Sequence, residues 1–98
     1  MKEISTNEVE QLLKDNKNVN IIDVREDEEV ATGKIPGSRH IRLGTIEDHK
    51  DELDKTEEYI FVCRSGRRSE RAAKYFEDQG YKVSNMTGGM LAWEGEVE

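Results

Sequence analysis

The most constraining feature of this sequence is an apolar strand that runs directly into a basic turn and then into a helix. Residues 59–63 (Tyr-Ile-Phe-Val-Cys) are the most apolar run in the chain, which is typical of a strand covered on both faces. Arg-Ser-Gly-Arg-Arg follows at 64–68. Apolar residues then recur at helical spacing over Ser69–Gln79 until Gly80 ends the pattern. Strand, turn and helix therefore meet at Cys63.

The rest of the chain alternates between helix and strand patterns. Ser5 and Glu8 form the capping-box pattern of a helix predicted to reach about Asn16. Further strands are predicted at Val19–Val24, Ile41–Leu43 and Lys82–Met86, and further helices at Glu26–Ala31, at Asp48–Lys55 and after Gly88. This alternation predicts an α/β fold with a mainly parallel central sheet flanked by helices. We expect one domain over residues 1–98, because the chain is shorter than the roughly 150 residues typical of a domain.

Composition excludes several classes of partner. Fifteen Lys and Arg against 22 Asp and Glu give a net charge of −7, which opposes unselective binding to nucleic acid or to an anionic membrane. No apolar run approaches the length of a membrane span. The single cysteine, Cys63, excludes an intramolecular disulfide, and the first residues do not resemble a secretory signal. We expect a monomer in the cytoplasm that binds neither nucleic acid nor membrane.

The position of Cys63 favours a reactive thiolate. Ligands of open α/β sheets bind at the carboxyl ends of strands, where Cys63 precedes a predicted helix. Backbone N–H groups, the helix end and the charges of Arg64, Arg67 and Arg68 all stabilise an anion there, and Gly66 lets the turn curl around it. A packing role for Cys63 is the alternative, because free cysteine is often buried. The basic turn beside it favours chemistry over packing.

Four segments together resemble one known family. Residues 63–69 (Cys-Arg-Ser-Gly-Arg-Arg-Ser) resemble the active-site loop of the rhodanese family of sulfurtransferases. Similar to other motifs of that family, in order and spacing, are Asp-Val-Arg-Glu at 23–26, Gly-Lys-Ile-Pro-Gly-Ser at 33–38 and Gly-Gly-Met-Leu-Ala-Trp at 88–93. Lys34 stands where the family usually has histidine, and Ser38 where it usually has alanine. The resemblance spans nearly the whole chain and is to single-domain members.

The resemblance implies transfer of sulfane sulfur by a ping-pong mechanism through a persulfide on Cys63. The donor would be thiosulfate or another small anionic sulfur compound, or a protein persulfide, and the acceptor cyanide or a protein thiol. The residues expected to bind the donor and cradle the persulfide are Arg64, Ser65, Gly66, Arg67, Arg68 and Ser69. Asp23 and Arg25 are expected to order the loop, with a purely local charge pair at a strand end as the alternative. No metal or organic cofactor is expected.

Two other functions remain open at this point. The first is a cysteine-dependent phosphatase, whose loop also holds an anion over a thiolate. Phosphatases of the related fold place arginine after five intervening residues, whereas four separate Cys63 from Arg68, and Ser69 occupies the next position. The second is a sulfur-carrier or partner-binding module with little turnover of its own. Retention of Cys63 argues against an inert module but does not establish rapid turnover.

Overall fold

The computed structural model describes residues 1–98, and its centre is a sheet of five parallel strands. The strands are β1 (Lys2–Ser5), β2 (Asn20–Asp23), β3 (Arg39–His40), β4 (Glu58–Val62) and β5 (Lys82–Thr87). They are arranged in the order β1-β5-β4-β2-β3, and every neighbouring pair is parallel. The predicted α/β architecture is therefore confirmed, and all five carboxyl ends lie along one edge of the sheet.

Three α-helices and one 3-10 helix lie between the strands, and a second 3-10 helix follows the last strand. They are α1 (Thr6–Lys14), α2 (Asp27–Val30), α3 (Arg67–Asp78) and the 3-10 segments Leu43–Glu52 and Gly89–Ala92. The predicted capping box of α1 is confirmed, because the Ser5 hydroxyl accepts from the Glu8 N–H and the Glu8 carboxylate accepts from the Ser5 N–H, both at 3.1 Å. Helix α3 begins at Arg67, earlier than predicted, so its first turn includes part of the basic turn.

The strand predicted at Ile41–Leu43 is wrong. The strand there is Arg39–His40, and Leu43 already begins a 3-10 helix. The backbone N–H groups of Ile41 and Leu43 donate to the carbonyls of Asp23 and Val24, at 2.9 and 3.0 Å. Because β2 ends at Asp23, these bonds do not extend the strand pairing. The apolar side chains of this segment serve packing rather than a strand, because Ile41 belongs to a buried apolar cluster and Leu43 packs against it. Likewise, the helix predicted at Asp48–Lys55 is replaced by the 3-10 helix that ends at Glu52.

Two apolar clusters cover the two faces of the sheet, and alternate residues of β4 belong to each. Tyr59 and Phe61 pack with Cys63 in a cluster of 13 buried residues that includes Ala72, Ala73 and Phe76 of α3. Ile60 and Val62 pack in a cluster of six buried residues with Val9 of α1. Cys63 therefore lies on the α3 face, at the carboxyl end of a strand in the middle of the sheet. No helix has the length and apolar character needed to cross a membrane.

Candidate active site

The Cys63 sulfur lies beneath a tight turn at the start of α3. Cys63 follows β4 directly and has no exposed surface. The Gly66 N–H donates to the sulfur at 3.0 Å, and the Ser69 hydroxyl lies 3.4 Å from it. Gly66 has a φ of +100°, a left-handed conformation that favours glycine and lets its N–H point back toward Cys63. The turn thus directs donors at the sulfur.

The second 3-10 helix holds the other side of this turn. The carbonyl of Cys63 accepts from the Met90 N–H at 2.9 Å, and the carbonyl of Arg64 accepts from the Leu91 N–H at 3.0 Å. Gly89 approaches so closely that a Cβ there would lie 2.3 Å from the Arg64 carbonyl oxygen. Because Gly89 has no side chain, the second 3-10 helix can approach the turn closely enough to form these hydrogen bonds.

Two opposing effects set the protonation of Cys63. Burial by itself raises the pKa of the thiol, because it disfavours the charged thiolate. The Ser69 hydroxyl and the backbone N–H groups of Ser69, Gly66 and Ser65 lower the pKa by hydrogen bonding to the sulfur. The hydrogen bonds prevail, and the pKa of Cys63 lies below its ordinary value. The turn therefore stabilises a thiolate, the nucleophilic form of cysteine.

The arginines of the turn have different surroundings. The half-buried Arg68 forms a two-point ion pair with Glu29 of α2, with nitrogen-to-oxygen distances of 2.6 and 2.8 Å. Its hydrogen bond is the largest cause that lowers the pKa of Glu29 from 4.5 to about 2. Arg64 and Arg67 are exposed and belong to none of the ion pairs of the structure. Of the predicted donor-binding arginines, these two carry charges that no side chain neutralises.

Asp23 and Arg25 form a buried ion pair that supports α2. The Arg25 guanidinium lies 2.9 Å from the Asp23 carboxylate, and both residues are almost fully buried. The same guanidinium donates to the carbonyls of Gly33, at 2.8 Å, and Glu29, at 3.3 Å. Its contacts are thus with the segment that carries Glu29, not with the sulfur. The pair reaches the turn only through Glu29 and Arg68.

Asn85 is a site residue that the sequence analysis missed. It lies in β5 and is 2% exposed. Its amide nitrogen donates to the Gly66 carbonyl at 3.0 Å, and its amide oxygen accepts from the Ser69 hydroxyl at 2.5 Å. The available signal was a polar side chain at an interior position of the predicted strand Lys82–Met86. Nothing in the local pattern of that strand indicates which residues it contacts.

Two surface cavities flank the turn. One, of about 370 Å³, is lined by residues that include Arg25, Arg64 and Leu91, and the other, of about 540 Å³, by residues that include Arg68 and Arg71. Cys63 lines neither cavity, in keeping with its complete burial. The sulfur is therefore not exposed in either cavity.

Both histidines lie apart from the turn. The half-buried His40 of β3 has its Nε2 2.6 Å from the Arg25 carbonyl oxygen. His49 has its Nδ1 2.7 Å from the Glu52 carboxylate in the first 3-10 helix. The structure contains no group of three or more His, Cys, Asp or Glu side chains placed to hold a metal ion.

Comparisons with known proteins agree on one family. The sequence-family model of the rhodanese-like domain matches residues 5–96 of this chain. The provisionally named sulfurtransferase YtwF of Bacillus subtilis is 50% identical over 98 residues, which are 100% of this chain and 95% of that protein. The provisionally named sulfur carrier protein YrkF of the same organism is 43% identical over 98% of this chain, which spans only 52% of YrkF. The crystal structure of a rhodanese-like domain protein from Staphylococcus aureus superposes with a TM-score of 0.94 at 42% identity, over 100% of this chain and 97% of that one.

Proposed function

The chain belongs to the rhodanese-like domain family, and from that membership and the geometry at Cys63 we propose that it transfers sulfane sulfur through a persulfide on Cys63. The observation that carries the proposal is the arrangement of donors around the sulfur. Gly66 N–H and the Ser69 hydroxyl both lie within hydrogen-bond reach of it, and the pKa of the thiol is lowered. A stabilised thiolate is the form of cysteine that attacks a sulfur donor.

With thiosulfate as donor, the first half-reaction forms one S–S bond and breaks another. The Cys63 thiolate attacks the outer, sulfane sulfur of thiosulfate, and sulfite leaves with the electron pair of the broken bond. The product is a Cys63 persulfide, whose terminal sulfur extends beyond the buried Sγ. In the second half-reaction, cyanide or a thiolate attacks that terminal sulfur and Cys63 leaves as a thiolate. No external oxidant or reductant is needed, and the two steps make a ping-pong mechanism.

The exposed arginines are suited to attract the anionic donor. Arg64 and Arg67 are exposed and carry unpaired positive charges, although the chain as a whole has a net charge of −7. We assign to them the binding of the thiosulfate dianion and the stabilisation of departing sulfite. Arg68 is engaged by Glu29, so its main role in this proposal is to hold the first turn of α3 against α2. Ser65, Gly66 and Ser69 supply the N–H and O–H donors around the sulfur.

A carrier role is the second candidate. Similarity over nearly the whole chain to a protein named a sulfur carrier favours delivery of the persulfide sulfur to another protein. A phosphatase has less support, because Arg68 is already paired with Glu29 and Ser69 occupies the position of the phosphatase arginine.

We further propose that the chain acts as a monomer in the cytoplasm. The exposed large apolar residues, Met1, Leu91 and Val97, are few, and single exposed apolar residues are normal on a monomer surface. A reducing compartment keeps the one thiol free for sulfur chemistry.

The assignment of the arginines is tested by steady-state formation of thiocyanate from thiosulfate and cyanide. We expect Arg64→Ala and Arg67→Ala each to raise the KM for thiosulfate by about tenfold, since each loses about 1.4 kcal/mol of attraction to a dianion. Arg42→Ala is the matched control, because Arg42 is an exposed arginine without an ion pair at the start of the first 3-10 helix. An equal rise in KM for Arg42→Ala would show that only overall charge matters. Single-turnover sulfur loading with negligible thiocyanate turnover would favour the carrier role.

A further inference from the structure

Asn85 has an amide side chain in an interior strand, and both of its side-chain hydrogen bonds go to the turn that follows Cys63. Strand β5 lies between β1 and β4, and Asn85 is 2% exposed. Burying an amide in a sheet is unfavourable unless its groups are hydrogen-bonded. Both ends of the Asn85 amide are bonded to the turn that follows Cys63, through the Gly66 carbonyl and the Ser69 hydroxyl. A packing role in the sheet would be served better by an apolar side chain.

We propose that Asn85 is a positioning residue for sulfur transfer, which holds the Gly66 peptide and the Ser69 hydroxyl in place beside the Cys63 sulfur. Asn85 forms no hydrogen bond with the sulfur itself. It acts through the two residues whose donors do contact the sulfur. The role of Asn85 in sulfur transfer rests on the proposed function. The effect of Asn85 on the Cys63 thiol can be measured without any sulfur donor.

The orientation of the amide follows from the partner at one end. The Gly66 carbonyl can only accept hydrogen bonds, and it already accepts one from the Glu70 N–H at 3.2 Å. The group of Asn85 that faces it must therefore be the NH₂ donor. The amide oxygen then faces Ser69, whose hydroxyl donates to it. Gly66 is thus held at its carbonyl by Asn85, while its N–H donates to the sulfur.

Ser69 has one hydroxyl proton and two acceptors for it. The Asn85 oxygen is 2.5 Å away, and the Cys63 sulfur is 3.4 Å away. With a neutral thiol, the Ser69 hydroxyl donates to the Asn85 oxygen, and the Ser69 oxygen is free to accept from the thiol S–H. With a thiolate, the sulfur competes for that proton as a charged acceptor. Asn85 therefore keeps the Ser69 hydroxyl beside the sulfur with both the neutral thiol and the thiolate. From there the hydroxyl can donate to the sulfur whenever the sulfur is charged.

The test is the pH dependence of Cys63 alkylation by iodoacetamide in Asn85→Leu. Asn85→Leu removes both hydrogen bonds to the turn while keeping a side chain of similar size. We expect the midpoint of the alkylation profile to move up by about one pH unit, because the Gly66 peptide loses the hydrogen bond that aligns its N–H with the thiolate, and this loss outweighs the release of the Ser69 hydroxyl from the Asn85 oxygen. Sulfur loading from thiosulfate near neutral pH should slow in the same variant. Adding Asn85→Leu to Ser69→Ala should shift the midpoint by a different amount than adding it to the wild type, because both changes act on one network.

Asn20→Leu is the matched control. Asn20 is also a strand asparagine, and its side-chain amide donates to the backbone carbonyl of Glu58 at 3.0 Å. Asn20 is the first residue of β2, so it lies at the opposite end of the strands from Cys63. It should lower the melting temperature without moving the alkylation midpoint. An unchanged midpoint in a folded Asn85→Leu, or an equal shift in Asn20→Leu, would overturn the proposal. If Asn85→Leu does not fold, Asn85→Val, which also lacks hydrogen-bonding groups, must show the upward shift, and its absence there overturns the proposal equally.

This experiment separates the inference from the proposed function. The alkylation midpoint reports only on the thiol, so it retains its meaning even if thiosulfate never loads the wild-type chain. Conversely, normal loading of the wild type together with unchanged midpoints in the Asn85 variants rejects the positioning role and leaves the sulfurtransferase proposal standing.

Discussion

At the scale of single residues, the site depends on a buried sulfur whose neighbours offset the cost of its charge. Cys63 is fully buried, which disfavours a thiolate, yet the donors from Gly66 and Ser69 lower the pKa of its thiol. The turn that supplies most of these donors is continuous with Cys63 in the sequence, so its chemistry could be predicted. Asn85 could not, because it lies 16 positions beyond Ser69 on another strand, and only the folded sheet brings the two together.

Ser38 is a residue whose substitution should stabilise the protein. Its hydroxyl oxygen is buried without a hydrogen-bond partner, in the turn where the family usually has alanine. An unsatisfied buried hydroxyl carries a desolvation cost, so Ser38→Ala should raise the free energy of unfolding by about 1 kcal/mol. Thr32→Ala is the contrasting control, because the Thr32 hydroxyl donates to the Glu29 carbonyl at 2.6 Å. Urea denaturation measures both, and a Ser38→Ala variant less stable than the wild type would contradict the prediction.

At the scale of elements, predictions succeeded where a segment carries its own signal and failed where its neighbours decide. The capping box of α1 and the apolar run of β4 are local, and both elements form as predicted. Strand β1 was not predicted, because it lies at the edge of the sheet and its residues Lys2 and Glu3 face solvent. The pairing of Arg68 with Glu29 was also hidden, since 39 positions separate them. The sequence therefore indicated which residues form the turn, but not which of its arginines are free.

The ion pair between Glu29 of α2 and Arg68 of α3 should make the free energy of unfolding decrease at acidic pH. The pKa of Glu29 is lowered from 4.5 to about 2, so its contribution is fully present above about pH 4.5 and is lost as pH falls toward 2. We expect Glu29→Gln to lower the free energy of unfolding at pH 7 by about 1 kcal/mol, a value reduced for the partial exposure of the pair. The difference between wild type and variant should shrink steadily between pH 4.5 and 2.

The control for this prediction is Glu28→Gln. Glu28 is the exposed neighbour of Glu29 in α2 and belongs to no ion pair. Urea denaturation at several pH values should show little change for it. A Glu29→Gln variant with the same stability and the same acid dependence as Glu28→Gln would mean that the pair contributes nothing.

At the scale of the whole molecule, the parallel sheet gathers distant parts of the chain around one sulfur. Cys63 directly follows strand β4, which lies between its neighbours β2 and β5. Strand β2 leads to Asp23 and Arg25, which hold α2, and β5 supplies Asn85. The chain as a whole carries a charge of −7, while Arg64 and Arg67 present unpaired positive charge at the turn. This local reversal of charge suits an anionic sulfur donor better than nucleic acid or an anionic membrane.

The central claim, a persulfide on Cys63, is tested most directly by intact mass spectrometry after incubation with thiosulfate. The account predicts that the wild-type chain gains the mass of one sulfur atom, that cyanide removes it, and that Cys63→Ser never gains it. Polysulfide serves as a second donor, so that the outcome does not depend on thiosulfate alone. A wild-type chain that gains no sulfur from either donor, or a Cys63→Ser variant that gains sulfur as readily as the wild type, would contradict the account.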